Sequence, residues 1–324
     1  MGVYISNVWK KLPTMPEGLL ISIITPCLNR ASMIGESIQS VLDQDYPYVE
    51  HIIVDGGSTD GTLEVLAKYP NLHVVSQSDE GIYDAINKGV VQARGEVIGF
   101  LNTDDYYESN VFSAVIREFS AHPDCEAVVG GAELFRQEAD GNRLIIQSFP
   151  AITPEQLFFR LTQGVSIFNA WFFRKRIIEE IGAFNDRLRY AADREFLIRF
   201  AMLSKKFISL NLTLYHYRAH PGSLTLRDQD NGEAEFMFED RSIAENYLDQ
   251  PDLDTKLKRV FQSWHSLTTS DQIIGAFRNK APLRGIKYIR TGMQKNPSLG
   301  FVFIGRCSQR SARWLKKNIR FRRL

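Results

Sequence analysis

The chain has 324 residues, of which 44% are hydrophobic and 24% charged, a composition that is typical of a globular protein and excludes a disordered or collagen-like one. Its three cysteines are odd in number and far apart, which argues against a disulfide framework and favours a reducing compartment. The net charge of +1 is unevenly distributed, because 14 of the 39 Lys and Arg residues follow Asp271 and no acidic residue does.

Strand-like and helix-like periodicities alternate along the first part of the chain, from residue 20 to residue 131. Apolar residues recur at helical spacing between the strand-like runs, for example at Ile82, Ile86 and Val90. This alternation predicts an α/β fold, with a doubly wound, mostly parallel sheet covered by helices. The predicted strands are Leu20–Thr25, Glu50–Val54, Leu72–Ser76, Glu96–Leu101 and Ala127–Val129.

The pattern changes after residue 131. Glu133–Gln137 and Arg143–Ser148 flank a turn sequence and predict a β-hairpin. The aromatic run Trp171–Phe173 fits either a platform for a sugar or the core. Further along, we predict a helix over residues 192–204 and strands at Phe207–Leu210 and Thr213–Tyr217.

We predict a boundary near residue 228, where the chain becomes polar, then helical and basic. The predicted divisions are one domain over residues 1–228, with halves at about 20–131 and 132–228, and a helical, basic C-terminal extension over residues 229–324.

Polar residues follow the predicted strands of the first half. Asn29 follows the first strand, Asp55 follows the second, Asp79 follows the third, and the pair Asp104 and Asp105 follows the fourth. Because the C-terminal ends of parallel strands lie at one edge of a sheet, we expect a ligand site there.

Several of these polar positions also have a purely structural interpretation. Asn29 is able to cap a helix, and Asp55–Ser58 is able to form a tight turn. Asp84 and Lys88 are spaced as an ion pair on a helix surface. The glycines do not form the G-x-G-x-x-G fingerprint of a dinucleotide site.

Asp104 and Asp105 are harder to explain by local structure, because a turn or a helix cap requires only one carboxylate. Adjacent side chains of an extended chain point to opposite sides, and two like charges so close repel each other. A bound divalent cation would offset this repulsion. Since Mg²⁺ and Mn²⁺ bind one or two protein carboxylates together with phosphate oxygens, the pair indicates a metal shared with a diphosphate.

Four segments occur in a distinctive order over roughly residues 20 to 225: SIITPCLNR, HIIVDGGSTDGT, SDEGIYDAINKGVVQARGEVIGFLNTDD and YAADREFLIRF. Together they resemble the family 2 glycosyltransferases of the GT-A fold. They are most similar to bacterial enzymes that build exopolysaccharide, capsule or O-antigen chains on lipid carriers. The resemblance implies a GT-A domain over residues 1–228, with the donor nucleotide in the first half and the acceptor in the second.

The resemblance implies roles for the residues at the donor site. Asn29 would lie in the nucleotide-binding loop, Asp55 would contact the base, and Asp79 belongs to the same donor site. The Asp-x-Asp-type motif of the family is matched by Thr103-Asp104-Asp105, where Thr replaces the first Asp. Asp104 would then face the ribose.

The metal in this scheme is Mn²⁺ or Mg²⁺, held by Asp105. His220 would add a contact to the metal or the diphosphate, as in some enzymes of this fold, although a lone histidine also fits a surface or packing position.

Asp193 matches the catalytic base of the family. It would remove the proton from the acceptor hydroxyl as that oxygen attacks the anomeric carbon, with inversion and without a covalent intermediate on the enzyme. By position alone, Asp193 also fits the N-cap of the predicted helix.

These features predict an inverting, metal-dependent glycosyltransferase of surface polysaccharide synthesis. Its donor would be a nucleotide sugar, with a UDP-sugar preferred, and its acceptor a saccharide linked to a lipid. Two other classes remain open. One is a nucleotidyltransferase, although TPCLNRAS is not a Gly-rich phosphate loop. The other is a non-catalytic protein that binds sugar nucleotides.

The basic segment from residue 272 to residue 324 includes aromatic residues such as Phe301, Trp314 and Phe321. This composition fits contact with an anionic membrane or a solvated helical extension. Nucleic-acid binding is not predicted, because no DNA- or RNA-binding motif accompanies the charge. No signal peptide is evident and no apolar run reaches the ~18 residues that span a bilayer. We therefore expect a cytoplasmic protein, peripheral on the inner face of the membrane.

Overall fold

The computed structural model describes residues 3–4, 18–220, 222–223, 235–300 and 303–304. The chain divides into two units, the first comprising Met1–Leu161 and Val165–Ser223 and the second Thr162–Gly164 and Leu224–Leu324. The predicted boundary at residue 228 falls outside the described residues, so the division into residues 1–228 and 229–324 stays a prediction.

The described residues contain ten strands and ten α-helices. The strands are β1 (Val3–Tyr4), β2 (Ile21–Cys27), β3 (Val49–Asp55), β4 (Leu72–Ser76), β5 (Val97–Phe100), β6 (Tyr106–Tyr107), β7 (Ala127–Gln137), β8 (Arg143–Phe149), β9 (Trp171–Arg174) and β10 (Phe207–Arg218). The helices are α1 (Ile34–Leu42), α2 (Thr62–Leu66), α3 (Ile82–Gln92), α4 (Val111–Ala121), α5 (Leu157–Thr162), α6 (Lys175–Ile181), α7 (Ala192–Met202), α8 (Glu235–Leu248), α9 (Thr255–Arg278) and α10 (Pro282–Lys295).

All ten strands belong to one sheet in the first unit. Their order is β1-β4-β3-β2-β5-β9-β7-β10-β6, and β8 pairs with β7 as the predicted hairpin. Neighbours among β4, β3, β2 and β5 are parallel, as are β7 and β10, while β9 is antiparallel to both β5 and β7. The two longest ladders, β7–β10 and β2–β3, are parallel. The predicted α/β fold class is therefore confirmed.

Helices cover both faces of this sheet. Phe112 of α4 packs against Phe172 of β9 on one face. Phe196 and Phe200 of α7 pack against Phe173 on the other, since adjacent strand residues point to opposite faces. Trp171 is fully buried and stacks on Phe173, so its interpretation as core packing is confirmed and that of a sugar platform is wrong.

Helix α3 approaches the sheet closely on the face that α7 also covers. Gly89 makes this possible, because an added Cβ would lie 2.4 Å from Cγ2 of Ile24 on β2 and 3.2 Å from Cγ2 of Val54 on β3. The chain enters α3 directly from the loop after β4, so the first turn of α3 lies at the C-terminal edge of the strands.

Two pairs of predicted strands are continuous in the structure. Ala127–Val129 and Glu133–Gln137 are parts of β7, and Phe207–Leu210 and Thr213–Tyr217 are parts of β10. Gly130, which lies between the two predicted strands, allows β10 to come close, since a Cβ on Gly130 would lie 2.2 Å from Cγ of Leu214. In β10, the residues between the two predicted strands shift the register of pairing with β7, but the strand itself continues.

The second unit contains α8, α9 and α10, which bears out the helical character predicted for residues 229–324 in the described part of that segment. Asp254 caps α9 by accepting hydrogen bonds from the N–H groups of Lys256 (2.8 Å) and Leu257 (3.2 Å). No described helix is both long enough and apolar enough to cross a membrane. Residues 301–302 and 305–324, with most of the predicted aromatic positions, lie outside the described part.

His51 of β3 leads to a prediction about stability in acid. The side chain is buried, its Nε2 lies 2.8 Å from Oγ1 of Thr25, and burial lowers its pKa to about 3. Between pH 6.5 and 3 the unfolded chain therefore binds a proton at His51 that the folded chain does not, so the free energy of unfolding falls as the pH falls through this range. At pH 5 we expect a loss of about 2 kcal/mol from this residue relative to pH 7.

The variant His51→Gln keeps a neutral hydrogen-bonding side chain and should flatten this part of the pH dependence. Urea denaturation at pH 7 and pH 5 measures the effect. The exposed His122, changed to Gln, is the matched control and should keep the wild-type dependence. Identical pH dependence in the His51→Gln variant and the wild type would contradict the assignment.

Candidate active site

The polar residues predicted from the strand ends lie along the C-terminal edge of β2, β3, β4 and β5. β2 ends at Cys27, two residues before Asn29, and β3 ends at Asp55 itself. Asp79 follows β4, and Asp104 follows β5. Since these strands are parallel, the sheet brings all four loops to the same edge.

Asn29 joins the loop after β2 to the loop after β3. Its N–H donates to Oγ of Ser58 (2.7 Å), and its Oδ1 accepts from the N–H of Thr59 (2.9 Å). Its φ of 54° is in the left-handed region, which asparagine tolerates better than most residues. Helix α1 is capped at Met33, so the interpretation of Asn29 as a helix cap is wrong.

Asp55 is buried inside the turn that follows β3. Its carboxylate accepts from the N–H groups of Gly57 (3.1 Å) and Ser58 (3.1 Å) and from the hydroxyl of Ser76 (2.7 Å). The tight-turn interpretation is therefore confirmed. Its predicted contact with a nucleotide base stays a prediction.

Asp79 lies directly above this turn. A Cβ on Gly56 would come within 2.4 Å of its Oδ2, so glycine at position 56 leaves the space that the carboxylate occupies. Burial raises the pKa of Asp79, while the N–H of Gly81 and the charge of Lys88 lower it in part. Two carboxylates, those of Asp55 and Asp79, thus meet beside one glycine.

Lys88 forms the ion pair expected from its spacing. Its Nζ lies 2.9 Å from Oδ2 of Asp84 and donates to the carbonyl of Ser78 (2.8 Å). Since Ser78 immediately precedes Asp79, this pair fixes the loop that presents Asp79.

Asp104 and Asp105 lie in a turn after β5, so the extended chain from which their opposite directions were predicted is not present there. Asp104 keeps part of its side chain exposed (16%), and its Oδ2 lies 2.8 Å from Nε2 of His220. Asp105 is buried, with 1% of its surface exposed. The structure therefore brings His220 to Asp104 and turns Asp105 inward.

The buried carboxylate of Asp105 accepts three hydrogen bonds. Tyr215 donates its hydroxyl (2.6 Å), Arg218 its backbone N–H (2.8 Å) and Asn102 its side-chain amide (3.1 Å). Burial raises the pKa of Asp105 to about 8, and the charge of Asp104 contributes to the increase. Both oxygens thus accept hydrogen bonds from the protein. This geometry does not support direct binding of a metal by Asp105, which stays a prediction.

Tyr215 and Arg218 were not predicted from the sequence. Besides its N–H contact to Asp105, Arg218 donates its Nε to the carbonyl of Asp104 (2.9 Å) and forms an ion pair with Glu36 of α1. A signal was present in YHYRAH, because Arg218 and His220 are two residues apart at the end of a predicted strand and so share one side of it.

Asp193 occupies the first turn of α7, whose N-cap is Ala191, so the N-cap interpretation is wrong. Its Oδ1 accepts from the N–H of Arg194 (2.6 Å), and the hydroxyl of Tyr83 shares its one proton between Asp193 and the carbonyl of Tyr190. Burial raises the pKa of Asp193, and Arg194 and Tyr83 oppose this only in part. A carboxylate with a raised pKa is suited to accept a proton near neutral pH.

The segment that leads into Asp193 is held by α3. The side chain of Asn87 exchanges two hydrogen bonds with the backbone of Phe184, at 2.9 Å and 2.8 Å. The hydroxyl of Tyr83 donates to the carbonyl of Tyr190 (3.2 Å), and its ring stacks on Phe184. Helix α3 therefore connects the C-terminal edge of β2, β3, β4 and β5 to the loop before Asp193.

Two side chains at this edge are candidates for holding a divalent cation together with a phosphate group. The described residues contain no cluster of three or more His, Cys, Asp or Glu side chains able to hold a metal by themselves. Oδ2 of Asp104 and Nε2 of His220 are partly exposed and lie 2.8 Å apart in a hydrogen bond. Because Nδ1 of His220 accepts from the N–H of Gly222 (3.1 Å), Nε2 carries the proton, which a bound cation would replace. Two protein ligands completed by phosphate oxygens and water are typical of Mg²⁺ and Mn²⁺.

Comparison with known sequences assigns this arrangement to a family. The sequence family described as Glycosyl transferase family 2 matches residues 22–182. A PGL/p-HBAD biosynthesis glycosyltransferase of Mycobacterium tuberculosis is 32% identical over 190 residues, which cover 56% of this chain and 69% of that protein. The chain belongs to glycosyl transferase family 2.

Two relatives from Bacillus subtilis are also similar. The uncharacterized glycosyltransferase EpsJ is 28% identical over 221 residues, which cover 64% of this chain and 63% of EpsJ. The putative teichuronic acid biosynthesis glycosyltransferase TuaG is 36% identical over 124 residues, which cover 37% of this chain and 49% of TuaG. The matched part thus spans less than two thirds of either relative.

Solved structures share the fold. TarS 1–349 of S. aureus, in complex with UDP-GlcNAc, superposes with a TM-score of 0.62 at 20% identity, covering 86% of this chain and 82% of that one. The mannosyltransferase PcManGT of Pyrobaculum calidifontis, in complex with GDP-Man and Mn²⁺, gives a TM-score of 0.56 at 16% identity, covering 93% and 83%. The predicted GT-A type of fold is confirmed.

Gly56 and Gly141 provide a test of the predicted donor contacts. In Gly56→Ala, the new methyl group should displace the Asp79 carboxylate and weaken UDP binding about tenfold, the value of one hydrogen bond to a charged group, with little change in stability. Gly141→Ala, in the turn between β7 and β8, is the control. Its φ of 85° makes the substitution cost roughly 1–2 kcal/mol of stability, but the turn lies outside the loops after β2, β3 and β4, so UDP affinity should persist. Calorimetric titration with UDP and thermal unfolding separate the two effects, and equal UDP affinity in both variants would contradict the role of Asp79.

Proposed function

We propose that this chain transfers a sugar from a nucleotide-diphosphate sugar to a saccharide acceptor in surface polysaccharide synthesis, with inversion at the anomeric carbon. The environment of Asp193 is the observation that supports this proposal best. Asp193 lies in the first turn of a helix that it does not cap, its pKa is raised by burial, and α3 holds the segment that precedes it. These are the properties that a general base for an acceptor hydroxyl requires.

The donor site in this proposal consists of the loops after β2, β3 and β4. Asn29 fixes one loop to the next, and Asp79 offers acceptor oxygens to the N–H and hydroxyl groups of the nucleoside. Asp55, whose oxygens already accept three hydrogen bonds from the protein, holds the turn beside Asp79. A UDP-sugar is the preferred donor, which agrees with the UDP-GlcNAc complex of TarS. The GDP-Man complex of PcManGT makes a guanine nucleotide the alternative to test.

The metal assignment changes in one respect from the sequence prediction. We assign direct contact with Mn²⁺ or Mg²⁺ to Asp104 and His220, because they are partly exposed and lie side by side. Asp105 is assigned to the support of this turn, since its oxygens already accept three hydrogen bonds. When bound, the cation would offset the negative charge of the diphosphate leaving group.

In the proposed reaction, Asp193 accepts the proton of the acceptor hydroxyl as its oxygen forms a bond to the anomeric carbon. The bond from that carbon to the diphosphate oxygen breaks in the same displacement, and the nucleoside diphosphate leaves with the bonding electrons. A single displacement inverts the anomeric configuration. The protonated Asp193 then returns its proton to solvent.

The proposed acceptor is a saccharide linked to a lipid, and the protein would work at the inner face of the cytoplasmic membrane. The names of the relatives support the polysaccharide setting, since TuaG is described as a teichuronic acid enzyme. Contact with the membrane would come from the basic segment after Asp271.

Asp193→Asn tests the base. Removal of a positioned general base should lower kcat by about 10²- to 10⁴-fold, while the affinity for UDP stays near the wild-type value. Glu195→Gln is the matched control, because Glu195 lies on the same helix and forms an ion pair with Arg199. Initial rates with a panel of nucleotide sugars, together with UDP titrations, give both quantities.

A wild-type rate in Asp193→Asn would refute the proposed mechanism. Tight binding of nucleotide sugars without turnover of any of them would instead favour the non-catalytic binding protein. Release of pyrophosphate from a nucleoside triphosphate and a sugar phosphate would favour the nucleotidyltransferase.

The metal ligands can be distinguished by spectroscopy. Electron spin echo modulation of Mn²⁺ bound with UDP should show a coupled nitrogen from His220 in the wild type and in Asp105→Asn. The signal should disappear in His220→Gln, and Asp104→Asn should weaken Mn²⁺ binding about tenfold or more. A nitrogen signal that persists in His220→Gln would refute the direct contact.

A further inference from the structure

Helix α10 of the second unit packs through its glycines. Gly285 and Gly292, seven residues apart and so on one side of the helix, are its most buried positions. A Cβ on Gly285 would lie 2.8 Å from the ring of Phe277, and one on Gly292 would lie 2.7 Å from Cγ2 of Thr269 on α9. The small residues of α10 therefore face α9, and no large apolar side chain is needed at this contact.

As a consequence, three aliphatic residues of α10 remain exposed, while Ile289 is partly buried. Leu283 is 82% exposed, Ile286 56% and Met293 48%. Their spacing of three and seven residues places them along one side of the helix, adjacent to the glycine side. Single exposed apolar residues are ordinary, but an aligned set on an amphipathic helix marks a surface that binds something apolar.

The charged side chains of α10 itself have one sign. Lys287 and Arg290 share the outward side of α10 with the aliphatic residues, and both are exposed. The sequence contains no acidic residue after Asp271, so α10 itself offers no negative charge. An apolar stripe beside cations is complementary to a surface with acyl chains below and anionic groups above.

We propose that the outward side of α10, formed by Leu283, Ile286, Met293, Lys287 and Arg290, is a docking surface for an anionic phospholipid bilayer. The helix has 14 residues, fewer than a bilayer span requires, and in this proposal it lies in the plane of the interface. This inference rests on the membrane contact proposed above and gives it a defined site. It does not depend on the catalytic assignment.

The test is co-sedimentation of the full chain with vesicles of phosphatidylcholine alone or of an equal mixture of phosphatidylcholine and phosphatidylglycerol. The wild type should bind the anionic vesicles and lose binding as salt is raised. The double variant Leu283→Ser with Ile286→Ser should bind the anionic vesicles at least about tenfold more weakly than the wild type does. Lys287→Gln with Arg290→Gln should lose the dependence on phosphatidylglycerol.

The matched control is Val91→Ser with Leu212→Ser, which removes two aliphatic side chains that are 78% and 47% exposed in the first unit. This control should bind vesicles as the wild type does. Sugar transfer to a water-soluble acceptor should be unchanged in all three double variants, so a failure of lipid binding is distinguishable from a failure of the proposed catalysis.

Equal lipid binding by the wild type and by Leu283→Ser with Ile286→Ser would overturn the proposal, as would equal binding to neutral and anionic vesicles. Sedimentation equilibrium provides the other decisive result. If the wild type is a dimer, the variant Leu283→Ser with Ile286→Ser is a monomer, and both bind lipid equally, then the surface joins two copies of the chain and the membrane assignment is wrong.

Discussion

The burial of the Asp105 carboxylate is the constraint on which the site depends. A buried charge is costly unless donors surround it, and a second carboxylate at Asp104 raises that cost. One donor comes from Asn102 in the same turn, but Tyr215 and Arg218 come from β10, in the other part of the sheet. The need for these donors thus fixes the turn after β5 against β10. The same attachment brings His220, two residues after the end of β10, to the exposed Asp104.

Helix α3 makes the second connection. Gly89 lets it lie close to β2 and β3, so its first turn is set by the sheet. Asn87 and Tyr83 then bind the segment that leads to Asp193. The donor-side loops and the candidate base are therefore positioned by one rigid helix. In the proposed reaction, this matters because a displacement requires the acceptor oxygen and the leaving group to be aligned, and small errors of position are costly.

The sequence predicted those features that follow from local periodicity. The alternation of strands and helices fixed the fold class, and the polar residues at strand ends indicated the edge where they meet. It did not predict that β7 and β10 are continuous, because Gly130 interrupts the apolar pattern for a reason that depends on the distant Leu214. The prediction that Asp105 holds the metal stays a prediction, and the sequence did not show that Asp105 is buried while Asp104 is partly exposed, since burial cannot be inferred from two adjacent identical residues. Only the contacts from β10 distinguish the inward carboxylate from the outward one.

Two shifts of register make the number of residues in β10 important for the site. Pairing with β7 is set at Phe207–Ser209, at Thr213 between the two shifts, and at Tyr215–Arg218. Because side chains alternate along a strand, the loss or gain of a single residue between Ser209 and Tyr215 would turn Tyr215 away from Asp105. Substitutions at the surface of this stretch are therefore compatible with the fold, whereas insertions and deletions are not. Homologous chains that retain the buried carboxylate are expected to keep the number of residues here constant even where the residues themselves differ.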